Sequence, residues 1–128
     1  MTDITFHGGV NDIGGNKFLV ESKGTKIFMD FGMSFSEEGK FFSQFLGPRT
    51  SNSLIAMFAL GLLPKIKGMY RRDYARHMDF GGNEETEIDA ILLTHAHVDH
   101  CAYIPYLRED IQILLFFLEL QLYLLLLY

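Results

Sequence analysis

The first thirty residues alternate between apolar and polar positions in a way that predicts β-strands. Ile4 and Phe6 are apolar positions separated by polar ones. Further along, two runs rich in β-forming residues flank the turn signal Ser22-Lys23-Gly24-Thr25. A period of two puts alternate side chains on one face of a strand. The pattern predicts a first strand over residues 2 to 7 and then a β-hairpin from about residue 17 to residue 30.

Longer apolar runs follow in the middle of the chain. Residues 54 to 63 are apolar almost all round and end at Pro64, which predicts a buried helix too short to span a bilayer. Residues 88 to 93 form a nearly continuous apolar run, as expected of a strand buried on both faces. Residues 102 to 109 suit a short helix, with Pro105 near its first turn.

Composition narrows the class of protein. With 128 residues, 48% of them hydrophobic, the chain is at most one globular domain. Its net charge of −5 argues against nucleic-acid binding through the overall field, although a local basic patch remains compatible with it. A single cysteine, Cys101, excludes an internal disulfide framework and fits a reducing compartment. Because the amino terminus lacks a secretory signal pattern, we expect a cytoplasmic protein.

The densest chemistry follows the apolar run, in the segment Thr94–His100. Three of the five histidines lie there, at His95, His97 and His100, together with Asp99. In an extended segment His95, His97 and Asp99 would point the same way, so the two histidines could chelate one ion. A turn at Asp99 would bring Asp99 and His100 towards a second ion, a ligand set that suits zinc. The alternative is a solvated loop that is merely rich in histidine.

This His-x-His-x-Asp-His pattern after a hydrophobic strand resembles the signature of metallo-β-lactamase fold hydrolases. The segment Ile27–Gly32 reads as a strand that ends in Asp30, the aspartate that precedes the metal motif in that family. The opening Phe6–Asn16 is similar to the start of the ribonuclease J-like and β-CASP nucleases. The resemblance covers roughly residues 2 to 111.

The resemblance implies an α+β fold, the amino-terminal half of an αβ/βα sandwich, with a helical insertion over residues 33 to 87. We expect residues 1–111 to be a partial domain and residues 112–128 to be a separate leucine-rich tail. It also implies that Asp30 hydrogen-bonds a ligand histidine and so orients it. The cofactor would be zinc, as two ions in the complete site. The metal ligands would be His95, His97, Asp99 and His100, of which Asp99 and His100 are the candidate catalytic pair.

The implied activity is metal-dependent hydrolysis, in which two ions activate a hydroxide without a side-chain nucleophile. Phosphodiester bonds of RNA or DNA rank first as substrates, because of the amino-terminal resemblance to ribonuclease J-like proteins. A small-molecule thioester or lactone hydrolase of the same fold is the alternative. Basic residues interleaved with aromatic ones after Pro64 could contact a nucleic-acid backbone, although a solvated helix face is the ordinary interpretation of such a charge run and the one we favour. These basic residues are Lys67, Arg71, Arg72 and Arg76.

The pattern stops beyond the histidine motif. No histidine follows His100, and the tail from residue 112 is rich in leucine, with Glu119 and Gln121 inside it. These polar residues argue against a stable membrane span. Two alternatives remain: a strand or helix that packs on the domain, or a truncated or frame-shifted product. We favour the truncated or frame-shifted product. Four ligand side chains cannot fill two metal shells. A non-catalytic metal-binding fragment, or a site completed by a second copy or a partner, is therefore the other hypothesis.

Overall fold

The computed structural model of the chain describes residues 1–42, 53–75 and 85–115. In this part of the chain five strands form one sheet in the order β1-β2-β3-β4-β5. The strands are β1 (Thr2–Gly8), β2 (Lys17–Ser22), β3 (Thr25–Met29), β4 (Ala90–Leu93) and β5 (Gln112–Leu115). The helices are α1 (Phe35–Phe41), α2 (Ser53–Ala59), α3 (Arg72–Ala75) and α4 (Val98–Cys101), followed by a 3-10 turn at Ile104–Tyr106.

The sheet is antiparallel at one side and parallel at the other. β1, β2 and β3 form an antiparallel meander, so the predicted hairpin is confirmed, with Lys23 and Gly24 at positive φ in its turn. β4 pairs with β3, and β5 with β4, in parallel. Parallel neighbours end at the same edge of a sheet. The segments that follow β3 and β4 therefore meet, and the backbone N–H of Asp30 donates to Leu92 O at 3.0 Å.

The hydrophobic core covers one face of this sheet. Phe28 on β3 and Ile91 on β4 are register partners, and both are fully buried. Phe31 packs edge-to-face on Phe28, with ring centroids 5.3 Å apart. Residues from the helices and connecting segments complete this core, namely Leu54, Met57, Phe58, Leu62, Leu63, Met69, Tyr70, Tyr103, Leu107 and Ile111. Along β4 itself, Ala90, Ile91 and Leu93 are buried and Leu92 is half-buried, as its apolar run predicts.

The two helices predicted from the sequence have different boundaries in the structure. The helix after the histidine motif begins at Val98 and ends at Cys101, and only a 3-10 turn lies within residues 102 to 109. Helix α2 ends at Ala59, four residues before Leu63, because Gly61 takes up positive φ and Gly61 N donates to Phe58 O. It is also buried on one side only, since Ile55 is 43% exposed.

The start of the predicted tail is part of the sheet. Gln112–Leu115 pairs along the whole of β4, so these four residues extend the domain predicted for residues 1–111. The rest of the tail lies outside the described residues. Within the described ranges, no helix is long and apolar enough to cross a membrane.

Candidate metal centre

The candidate centre lies at the edge of the sheet where β3 and β4 end. Asp30 follows β3, and Thr94 follows β4. The carboxylate of Asp30 is buried and accepts hydrogen bonds from the Thr94 backbone N–H at 2.8 Å and from its hydroxyl at 2.9 and 3.0 Å. Asp30 also has a φ of 60°, a region that non-glycine residues seldom occupy. These bonds hold the carboxylate under the histidine motif.

His100 is oriented by Asp30. Its Nδ1 lies 2.7 Å from Asp30 Oδ2. An ionised carboxylate only accepts hydrogen bonds, so Nδ1 carries the proton, and in the neutral ring Nε2 is unprotonated and can act as an acceptor. Nε2 in turn lies 3.3 Å from Oδ2 of Asp99. Two ligand atoms at about 2.1 Å from one tetrahedral zinc ion are separated by roughly 3.4 Å, so this spacing suits a shared cation.

His95 and His97 stand beside His100. The ring centroid of His95 lies 3.8 Å from that of His100 and 4.7 Å from that of His97. Desolvation and then the neighbouring histidines lower the pKa of His95, which favours the neutral ring that a metal requires. Nδ1 of His95 is 3.0 Å from the Thr94 hydroxyl. The structure therefore brings three imidazoles and one carboxylate together.

The backbone conformation that brings these side chains together differs from the extended segment predicted from the sequence. The backbone at His97 is extended, but Asp99 and His100 lie within helix α4. Their side chains are therefore positioned by the helix and not by the alternation of side chains along a strand. The backbone around the helix is tightly packed. A Cβ atom on Gly32 would lie 1.8 Å from Asp99 O, and one on Gly14 would lie 2.8 Å from Asp99 Cβ. Only glycine lets these two segments approach α4 so closely.

Two polar residues of this site were not predicted from the sequence. Asn16 donates through its backbone N–H to Asp99 O at 3.2 Å, and its side-chain Nδ2 lies 3.1 Å from His100 Nε2. Thr94, described above, is the second. The only sequence signal for Asn16 is its position after Gly14-Gly15 and directly before β2, where a short polar side chain ends a glycine-rich loop.

The donor chemistry suits a divalent cation, but the described side chains supply only part of a coordination shell. Neutral imidazole and carboxylate are ligands typical of zinc. Among the residues that the structure describes, however, no group of three His, Cys, Asp or Glu side chains converges tightly enough to hold an ion alone. The residues therefore fit as pairs, His95 with His97 and Asp99 with His100, each of which leaves positions for other ligands.

Two of the predicted basic residues, Arg71 and Arg72, are not gathered with the histidines. Arg71 and Arg72 line a surface pocket of about 370 Å³ together with Arg108, which lies just before the amino end of β5. In a parallel pair this end is opposite the edge that carries the motif. A four-residue β4 separates the two edges by roughly 10 Å.

Each basic residue has its own setting. Arg71 forms an ion pair with Asp73 at 2.8 Å and lies over the ring of Tyr74. Arg72 and Lys67 are exposed. Arg76 lies outside the described residues. The positions of Arg71 and Arg72 therefore allow a contact with an extended ligand, but not with the atoms at the histidine motif.

Comparison with known proteins agrees with this geometry. A family model described as Metallo-beta-lactamase superfamily matches residues 68–116, which include the whole histidine motif. This part of the chain matches the metallo-β-lactamase superfamily. In the described residues the mixed five-stranded sheet and four helices form an α+β fold, and the predicted fold class is confirmed. A match to this superfamily implies metal ions.

The chain is also similar to a ribonuclease and to a transcription termination factor. The chain is 33% identical over 109 residues to "Ribonuclease J" of Helicobacter pylori, an alignment that covers 85% of this chain and 12% of that protein. It is 25% identical over 102 residues to "Transcription termination factor FttA" of Methanocaldococcus jannaschii, covering 80% of this chain and 11% of that protein. The predicted homology to ribonuclease J-like proteins is confirmed. The chain spans about an eighth of the length of these relatives.

A solved structure shares the fold. The crystal structure of a protein of unknown function from Enterococcus faecalis V583 superposes with a TM-score of 0.62 at 29% sequence identity. The match covers 88% of this chain and 24% of that one. The arrangement of strands and helices in this chain therefore recurs within a larger protein.

Proposed function

We propose that this chain carries part of the metal centre of a hydrolase that cleaves phosphodiester bonds in RNA or DNA. The observation that carries the proposal is the cluster at the carboxyl edge of β3 and β4. There Nε2 of His100 faces Oδ2 of Asp99 at 3.3 Å, beside the rings of His95 and His97. The names of the relatives, ribonuclease J and a transcription termination factor, support nucleic acid as the substrate class.

In this proposal each residue has a distinct task. His95 and His97 would hold one zinc ion, and Asp99 and His100 would hold a second. Asp30 keeps the proton of His100 on Nδ1, which leaves Nε2 unprotonated. Zinc, when bound, supplies Lewis-acid polarisation of a phosphoryl oxygen and stabilises developing negative charge.

The described side chains give no support for a thiol nucleophile. Cys101 is buried, and desolvation raises the pKa of its thiol, so the reactive thiolate is disfavoured near neutral pH. This agrees with hydrolysis that depends on metal rather than on a covalent intermediate.

A cleavage assay tests the proposal. The full 128-residue chain is incubated with end-labelled RNA and, separately, with a small thioester, with and without added zinc. We expect RNA cleavage that requires zinc and that is lost in His97→Ala. Zinc-dependent turnover of the thioester alone would instead indicate a small-molecule hydrolase. Zinc binding without turnover of either substrate would support a metal-binding fragment, which needs a second copy or a partner to complete its site.

A cytoplasmic location stays a prediction.

A further inference from the structure

The side chain of Asn16 occupies a position at His100 that a metal ion would also need. Nδ2 of Asn16 lies 3.1 Å from Nε2 of His100 and 3.3 Å from the backbone carbonyl of Asp99. The backbone N–H of Asn16 donates to that same carbonyl at 3.2 Å. Asn16 therefore contacts both residues of the Asp99–His100 pair.

The direction of the hydrogen bond between Asn16 and His100 follows from its neighbours. A carbonyl oxygen only accepts, so the part of the Asn16 amide that faces Asp99 O must be the NH₂ group. His100 has its Nδ1 proton on Asp30, so in the neutral ring Nε2 is an acceptor. Both arguments make Asn16 the donor and Nε2 the acceptor. The lone pair that would bind a cation is thus already used by the amide.

We propose that Asn16 competes with a divalent cation for Nε2 of His100, so that the cation must displace the side-chain amide in order to bind there. The inference rests on the proposed metal centre and adds to it a residue that sets metal affinity. In the metal-free chain the amide satisfies Nε2 and holds the ring in the orientation for a ligand. On binding, the backbone N–H of Asn16 still holds Asp99 O, and only the side chain has to move.

A purely structural role for Asn16 makes the opposite prediction. If the amide only supported helix α4, its removal would loosen Asp99 and His100 and would weaken metal binding. If it competes, its removal frees Nε2 and tightens zinc binding by about fivefold, the equivalent of one net hydrogen bond. The sign of the change in affinity therefore separates the two roles.

The test compares zinc affinity in the wild-type chain, in Asn16→Ala and in Asn16→Leu, by competition with a chromogenic chelator. The leucine variant keeps the branched shape of the side chain and removes the donor, so it provides a second test if the alanine variant folds poorly. Gln112→Ala, which removes an exposed amide on β5, is the matched control and should bind as the wild type does. In the wild type, addition of zinc should also shift the NMR signals of the Asn16 side-chain NH₂.

The outcomes are distinct. Tighter binding in both Asn16 variants, together with a shift of the NH₂ signals, supports competition. Unchanged or weaker binding, while zinc still perturbs the ring signals of His95 and His97, overturns the competition and leaves the proposed metal centre intact. If zinc perturbs no ring signal of the motif in any variant, both the competition and the proposed metal centre are wrong.

Discussion

Asp30 and His100 are 70 positions apart in the sequence and are joined by one hydrogen bond, with Oδ2 of Asp30 at 2.7 Å from Nδ1 of His100. The carboxylate is only 3% exposed, and a buried carboxylate is costly unless its oxygens have partners. Here the partners are His100 and Thr94. The parallel pairing of β3 and β4 creates this contact, because it ends both strands at the same edge.

Replacing Asp30 tests whether this contact supports metal binding. In Asp30→Asn the amide can present either oxygen or nitrogen to His100, so the protonation of the ring is no longer fixed. Partners of this kind typically contribute a factor of about 10 to 100 in metal affinity. We expect a loss of that size in zinc titrations. Asp3→Asn, an exposed position on β1, is the control, and an equal loss in both variants would contradict the role of Asp30.

Gly32 is expected to be essential for the position of helix α4. A Cβ atom at residue 32 would overlap Asp99 O, with a separation of 1.8 Å. We therefore expect Gly32→Ala to lower the free energy of unfolding by more than about 3 kcal/mol, as overpacking against fixed backbone does.

Gly39 provides the matched control for that substitution. It lies in helix α1 with nothing within 4 Å of its would-be Cβ, so Gly39→Ala should stabilise the chain by about 0.5 to 1 kcal/mol. Urea denaturation measures both variants. Similar free energies of unfolding for Gly32→Ala and Gly39→Ala would show that the segment at Gly32 does not pack against α4 as described.

Lys17 gives the chain a pH dependence of known sign. Its side chain is buried and donates to Gly15 O and Gly32 O, and desolvation lowers its pKa from 10.5 to about 8. Below pH 8 the ammonium is charged in both states, and the burial penalty is fully present. Between pH 8 and 10.5 the unfolded chain binds more protons than the folded chain. The free energy of unfolding contributed by Lys17 therefore rises with pH across this window.

The measurement is the difference in unfolding free energy between the wild type and Lys17→Met from pH 7 to pH 10.5. Taking the difference removes the contributions of other titrating groups. We expect it to rise in favour of the wild type by about 3 kcal/mol. The exposed Lys65, replaced in Lys65→Met, should show no comparable rise. A difference that is flat or that falls with pH would mean that Lys17 is not buried as a charged group.

The arginines at the opposite edge of the sheet should affect nucleic-acid binding and not metal binding. If Arg71 and Arg72 contact phosphates, Arg71→Gln and Arg72→Gln should each weaken RNA binding and reduce its salt slope by about one. Zinc affinity should not change, since these residues lie away from the histidines. Lys40→Gln on α1 is the control for loss of a surface charge. An RNA affinity unaffected by both arginine variants would indicate a solvated face.

Much of the fold follows from local pattern. The strands around Gly24 and the strand before His95 are recognisable because their apolar periodicity matches a half-buried and a fully buried strand. The position of Asp30 next to the motif is different, since it depends on the parallel pairing of β3 and β4 across more than sixty residues. No local signal specifies such a pairing. The role of Asp30 was therefore predicted only from the family resemblance.

The contacts of Asn16 and Lys17 lay beyond sequence reasoning for a similar reason. Both follow a glycine-rich loop, and nothing in a run of glycines specifies which backbone they will meet. The start of α4 at Val98 was missed because His97 is an extended N-cap without a side-chain hydrogen bond, so none of the usual capping residues marks the helix. Gln112–Leu115 was interpreted as tail because its leucines continue into a longer leucine-rich run.

The central claim is that the motif histidines bind a divalent cation, and side-chain NMR of the histidines tests it most directly. Zinc is titrated into the full chain while the ring nitrogens are followed in long-range ¹H–¹⁵N spectra. We expect the ring signals of His95, His97 and His100 to shift together. His7, on β1, should be unaffected and serves as the internal control. Equal shifts at His7 and the motif, or no shift at the motif at saturating zinc, would contradict the account.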